Sequence, residues 1–383
     1  MTGLKMTNAE TTDFAVVGGG MIGAAVAYGL SSRGARVILF DEGDVALRAA
    51  RGNLGNIWVQ GKGATGPAYA DLTRAAANEW SVFAHRLEEL SGYDLHYRRP
   101  GGFYFCFSAD ELARRKAMLQ KIGNEATVSS GFGVFDNDQL RARFFPEIGT
   151  AVAGATYSED DGSVNPFHLL KALLSAAQKS GATYLPFHPV DKIMADRNQF
   201  VLEASGRRFR AGKVIMSSGL GNLRFAADLG MNVPIRPVRG QIMVTEKLKP
   251  FLRYGVNFVR QTVEGSCIFG ESSEEAGFDE STTRPVLRET AQRMIAAFPL
   301  LRNVRIVRSW GALRVMSPDG MPIYAHSSKH EGAYTLSVHS GVTLAPFHAG
   351  ALAQALLADK TDCDFFKSFS PDRFNVSNSS TVV

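Results

Sequence analysis

The chain has 383 residues, 45% hydrophobic and 21% charged, and its 42 basic and 37 acidic side chains leave a formal charge of +5. A chain of this length and balance is globular, with two or three domains, and is not a small scaffold stapled by disulfides or metal. Cys106, Cys267 and Cys363 stand far apart with no C-x-x-C pair, which argues against a disulfide framework and a zinc or iron–sulfur site, so no metal is expected.

The first ten residues are polar and no run of 18 apolar residues occurs, so the expectation is a cytoplasmic chain without signal peptide or transmembrane segment. The first structured segment reads as a βαβ unit. Phe14-Ala15-Val16-Val17 is a buried-type strand, Gly18-Gly19-Gly20 follows at once, a small-residue helix runs over 22–33 to Gly34, and 37–40 is a parallel strand. Leu72, Ala76, Trp80, Phe83, Leu87 and Leu90 step by three and four, predicting a long amphipathic helix that ends at Gly92. Ser108-Ala109-Asp110-Glu111 has the pattern of a capping box. Asn165-Pro166 starts another helix with Gly181 past its end, and Leu287, Ala291, Met294, Ile295 and Phe298 mark a third long one. Extended runs at 182–185, 200–202, 214–217, 242–245, 267–270, 304–310 and 333–338 read as strands. Arg207, Arg208, Arg210 and Lys213 follow a Ser205-Gly206 turn and read as a solvated hairpin edge, so no nucleic-acid partner is expected.

This order predicts an α/β protein: a Rossmann-type domain interrupted by an insert built on a mixed or antiparallel sheet. The boundaries drawn are 13–85, 150–222 and 310–370 for the discontinuous Rossmann-type domain, and 86–149 and 223–309 for the insert.

Gly18-x-Gly20-x-x-Gly23 sits between strand and helix, where glycines permit a tight turn and let backbone approach a pyrophosphate. The helix N-terminus then offers unpaired N–H groups to the phosphates. Asp41 ends the second strand 18 residues after Gly23, placed to accept hydrogen bonds from adenosine ribose hydroxyls and to disfavour NADP. FAD is preferred over NAD because 333–338 runs into His339-Ser340-Gly341 and a helix with Pro346 in its first turn, which can return N–H groups to the flavin pyrimidine edge.

Five stretches resemble one family in order and spacing: 17–23, 161–166, 234–241, 310–323 and 339–346. The sequence resembles the FAD-dependent amine oxidases of the glycine oxidase, sarcosine oxidase and D-amino-acid oxidase group. Within it, Arg48-Ala49-Ala50-Arg51-Gly52-Asn53, then Trp58-Val59-Gln60-Gly61-Lys62-Gly63, most resemble the catalytic β-type subunit of opine (octopine or nopaline) oxidases, with D-hydroxyproline dehydrogenase β-type subunits nearly as close.

The resemblance implies hydride transfer from an amine-bearing carbon to flavin N5, leaving an imine that water hydrolyses to a 2-oxo acid and a free amine. It implies that the Rossmann-type domain is a glutathione-reductase-like FAD-binding domain and the insert a substrate-binding domain, with FAD contacts from Gly18, Gly20, Met21, Ile22 and Gly23, from Asp41 and Glu42, and from Arg48, Ala50, Arg51, Gly52 and Asn53. Further contacts are expected from Val190, Ser218 and Gly219, from Arg314, and from Ser340, Gly341, Val342, Thr343 and Leu344. Arg314 is expected to clamp a substrate carboxylate, with Arg260 a second catalytic cation for another carboxylate or the flavin. His339 is left open between the flavin edge and simple packing, and Lys62 between a solvated loop lysine and an interface or phosphate contact. Ala312 stands where some sarcosine oxidases tether FAD through cysteine, so non-covalent FAD is expected. Larger α-type and small γ-type partner subunits, an FMN at a subunit interface, and a quinone or oxygen acceptor are also implied. The alternatives are a D-hydroxyproline, D-amino-acid or sarcosine-type dehydrogenase, an NAD-dependent dehydrogenase, and a non-catalytic flavin scaffold subunit that relays electrons.

Overall fold

The computed structural model describes residues 12–43, 49–50 and 52–375. Strand Thr12–Val17, helix Met21–Ser31 and strand Val37–Phe40 form the opening βαβ unit. Every residue of that helix is buried, which is why its sequence is small and apolar all round.

Five parallel strands run in the order Ala333–Ser337, Arg207–Met216, Thr12–Val17, Val37–Phe40, Thr183–Leu185, with Ile323–His326 antiparallel at one edge. Three distant parts of the chain thus build one Rossmann-type sheet. Gln199–Ala204 and Val190–Asp196 extend it as an antiparallel arm. The Ser205-Gly206 turn falls where expected and opens a hairpin: among the described residues Arg207–Arg210 pair with Gln199–Ala204 alone, and the strand gains Thr12–Val17 and Ala333–Ser337 as neighbours only from Ala211 and Val214 onward. Three of its four cations are neutralised in place: Arg208 pairs with Glu203 and Arg210 with Asp196, both at 2.8 Å, and Lys213 with Asp359.

The second sheet runs Ile306–Met316, Arg236–Lys247, Ser266–Phe269, Val259–Gln261, Gly255–Val256, Gly102–Cys106, Gly154–Ser158, Gly133–Asp136. It is antiparallel apart from one parallel pairing, Gly255 and Val256 with Gly102 and Phe103, and so is mixed. Strand Ile306–Met316 pairs with Arg236–Lys247 along its length, from Met316 opposite Arg236 to Ile306 opposite Thr245. Residues 310–316 therefore belong to the second sheet, as does Gly154–Ser158, although the sequence grouping put both with the first.

Helix Pro67–Ser91 stops at Gly92, Pro166–Lys179 is capped by Asn165, and Arg284–Ala297 is the third long helix. Ser108 caps Ala109–Glu125 by accepting from Glu111 N at 3.1 Å. The reciprocal carboxylate bond goes to Phe107 N at 2.7 Å, one residue before the cap. Trp80, Leu87, Leu169 and Leu173 pack with helix Met21–Ser31 over one face of the first sheet. Phe103, Phe105, Phe145, Phe258, Phe269 and Phe298 fill the core of the second. Among the described residues no helix is long and apolar enough to cross a membrane.

Candidate active site

A cavity of about 890 Å3 runs from the C-terminal ends of the parallel strands to the face of the second sheet, the crevice where open α/β sheets bind ligands. At one end lie Gly18, Gly20, Met21 and Ile22. Gly18 is pressed against the returning strand, so that a Cβ there would come within 2.6 Å of Ser218 Cα. Gly23 does not line the cavity; a Cβ on it would sit 1.9 Å from the Gly18 carbonyl oxygen, so this glycine closes the loop. Gly20 faces open space, its nearest neighbour in that direction being Ala50 Cβ at 3.8 Å. The helix that starts here has no side-chain cap, which leaves its first N–H groups for an anion.

Asp41 and Glu42 follow on the cavity wall. Asp41 accepts from Gly19 N at 2.8 Å and Gly43 N at 3.0 Å, which ties the glycine loop to the strand end. Val190, Ser218 and Gly219 close that end, and Ala50, Gly52 and Asn53 line the middle. Arg48 and Arg51 lie outside the described residues. Ser340, Gly341, Val342 and Thr343 line the opposite wall, while Leu344 is fully buried in the core beneath them. Thr343 fixes this wall: its hydroxyl accepts from Trp58 N at 3.0 Å and its carbonyl from Trp80 Nε1 at 3.0 Å. The open space over Gly20, the uncapped helix and the carboxylate at the strand end fit the pyrophosphate and ribose of a dinucleotide.

The far end is built by the second sheet. Arg314, half-buried two residues before its strand ends, lines the cavity and donates to the Ser272 and Arg239 carbonyls at 2.8 and 3.3 Å. Among the described residues no carboxylate forms an ion pair with it, and burial lowers its pKa while Glu271 and Glu274 oppose that. His339 turns its ring to the cavity. Its side chain is exposed to that space, and the surrounding protein, with Lys62 and Arg314, lowers its imidazole pKa.

Arg260 is placed elsewhere. Its guanidinium donates to the Leu54 carbonyl and passes beside Gly55, where a Cβ would be 3.1 Å from Nη2; it does not line the cavity. Burial holds its pKa down to about 10. It braces the 53–55 loop from behind, and the expected second catalytic cation is not there.

Tyr104, Asn257 and Glu271 line this end and were not foreseen. Asn257 donates to Glu271 at 2.8 Å and accepts from Phe105 N at 3.1 Å, while Arg115 lies 3.9 Å over the Tyr104 ring. Alternation on strand Gly102–Cys106 carried the signal: Phe103 and Phe105 are fully buried, and Tyr104 between them points the other way. Sequence spacing alone does not bring Asn257 beside it.

The sequence profile of the FAD dependent oxidoreductase family matches residues 13–355, and the chain belongs to that family. It is 36% identical over 364 residues to an opine oxidase subunit of Agrobacterium tumefaciens (strain Ach5), covering 95% of this chain and 98% of that one. The corresponding opine oxidase subunit of Rhizobium meliloti is 35% identical with the same coverage. The crystal structure of glycine oxidase from Geobacillus kaustophilus superposes with a TM-score of 0.86 at 25% identity, covering 94% of this chain and 98% of that one.

Proposed function

We propose that the protein oxidises an opine, an N-carboxyalkyl amino acid of the octopine or nopaline type, and that hydrolysis of the resulting imine releases an amino acid and a 2-oxo acid. The observation that carries this is Arg314: a guanidinium that forms no ion pair among the described residues, on the far wall of the cavity whose near wall is the dinucleotide cradle. The two opine oxidase relatives support the choice of substrate.

Bound FAD supplies a two-electron acceptor for the hydride of the carbon bearing the amine. Gly18, Gly20 and the first turn of helix Met21–Ser31 would hold its pyrophosphate, Asp41 a ribose, and the 340–343 wall its ring system. Arg314 meets the substrate carboxylate with a planar fork, which fixes the reacting carbon by position. The Arg314 guanidinium also favours the uncharged amine, the form whose nitrogen lone pair assists departure of the hydride. The amine's proton passes to solvent, and water adds to the C=N bond and splits it.

The division of the chain into a cofactor unit and a substrate unit belongs to the same proposal. So do non-covalent FAD, a cytoplasmic location, α-type and γ-type partner subunits, an interfacial FMN, and a quinone or oxygen acceptor. The test is an anaerobic titration of the purified flavoprotein with opines, D-amino acids, sarcosine and hydroxyproline, following the visible flavin band. Bleaching by an opine at the lowest concentration is expected; bleaching by sarcosine or hydroxyproline alone would overturn the substrate assignment.

A further inference from the structure

Lys62 lines the same cavity, yet nothing in the proposed reaction uses it. Its ammonium lies 5.6 Å from the centre of the Tyr69 ring, and among the described residues it has no carboxylate partner. The backbone presents it firmly. Gly61 and Gly63 on either side have φ of +85° and +91°, and a Cβ on them would lie 2.8 Å from Arg115 Nη1 and 2.6 Å from Ala70 Cβ. Lys62 N donates to the Val59 carbonyl at 3.0 Å, and Val59 N and Gln60 N donate to the buried Asp161 carboxylate at 2.7 and 3.4 Å. Tyr69 in turn donates to Ser340 at 2.8 Å, and His339 and Ser340 line the cavity beside it. Lys62, His339 and Arg314 all line this one cavity. Glu271, the carboxylate facing Arg314, is already engaged by Asn257 at 2.8 Å and Arg293 at 3.4 Å.

We propose that Lys62 binds a second carboxylate, so that the site selects secondary amines carrying a carboxylate on both nitrogen substituents. This rests on the amine-oxidising reading of the cavity. Two cations match two carboxylates, and an amine with a single carboxylate would leave the Lys62 ammonium desolvated and unpaired, a loss that works against the wrong ligand.

The test uses the flavin-loaded full chain and thiodiacetate, a diacid in which sulfur stands for the amine nitrogen so that nothing is oxidised, with its monoamide as control. Calorimetric titration of wild type should give about tenfold to a hundredfold tighter binding of the diacid. Lys62→Met should lose the difference, with the diacid weakened at least ten times more than the monoamide, and Lys62→Arg should restore most of it. Equal binding of both compounds by wild type, binding of neither, or equal weakening of both by Lys62→Met would overturn the proposal. Loss of flavin from Lys62→Met would overturn it too, reassigning the ammonium to the cofactor. Anaerobic bleaching of the same wild-type sample by an opine reports on the activity separately. Diacid discrimination without bleaching removes the activity and keeps the diacid site, and bleaching without discrimination does the reverse.

Discussion

Arg314 reaches the cavity past Gly240, which stands diagonally across the sheet, two residues along from Val238 opposite it, and has no side chain. The guanidinium lies over Gly240, where a Cβ would come within 2.5 Å of Nη2. Arg314→Ala should lower kcat/KM on the true substrate by roughly 30-fold to several thousand-fold, and Arg314→Lys should recover part of the loss, since a point charge does not reproduce the fork. Gly240→Ala should give an intermediate loss by pushing the guanidinium aside, with FAD content retained in all three. Stopped-flow flavin reduction over a range of substrate concentrations measures this; a Gly240→Ala protein as fast as wild type would show that the contact does not hold the arginine. Arg314 could be picked out in the sequence because it sits in a motif. Arg260 could not be placed that way, because its direction depends on the space left by Gly55 in a loop some 200 residues away in sequence.

At the scale of the element, the 58–63 loop hangs from Asp161, which accepts from Val59 N, Gln60 N and the Gln60 side-chain amide. Burial drives this carboxyl up to about 7 against those donors, from 3.8 for a free aspartate. The folded protein therefore keeps a proton that the unfolded chain has released. The resulting contribution to stability is complete below the unfolded value and disappears as pH rises through about 7. Asp161→Asn should flatten this fall, which is on the order of a few kcal/mol, in urea unfolding measured across that range. Superimposable pH profiles for the two proteins would mean that the three donors keep Asp161 ionised throughout. Helices were legible through local chemistry: Asn165 and Pro166 at one start, Ser108 at another, Gly92 at an end. The Glu111 bond to Phe107 was not, because a carboxylate in the first turn can reach either of two adjacent N–H groups and packing selects one.

The whole molecule bears on how FAD is kept. Ala312 lines the cavity, and none of the three cysteines does. Burial pushes the Cys106 and Cys267 thiols up to about 11 and about 12, so neither is a ready nucleophile. Acid precipitation should release the yellow colour to the supernatant; colour retained in the pellet would sink the non-covalent assignment. Two sheets of different kinds were legible from strands that precede and follow long helices. Where the chain passes between them was not, since Ile306–Met316 runs unbroken through the drawn boundary, paired on both sides of it with Arg236–Lys247.

The strand order of the first sheet also dictates when this protein can acquire its cofactor. Thr12–Val17 finds one neighbour, Val37–Phe40, close by, but its other neighbour, Arg207–Met216, is some 200 residues away, and that strand must still pair with Ala333–Ser337. Gly29 closes against Ala349, where even a Cβ would lie 2.3 Å from its carbonyl oxygen, and Arg33 donates to that carbonyl at 2.9 Å. During synthesis the glycine loop thus leaves the ribosome long before the strands that complete it. Such long-range pairing is slow and leaves strand edges bare in the meantime, so the interval before flavin loading is when the nascent chain most depends on chaperones.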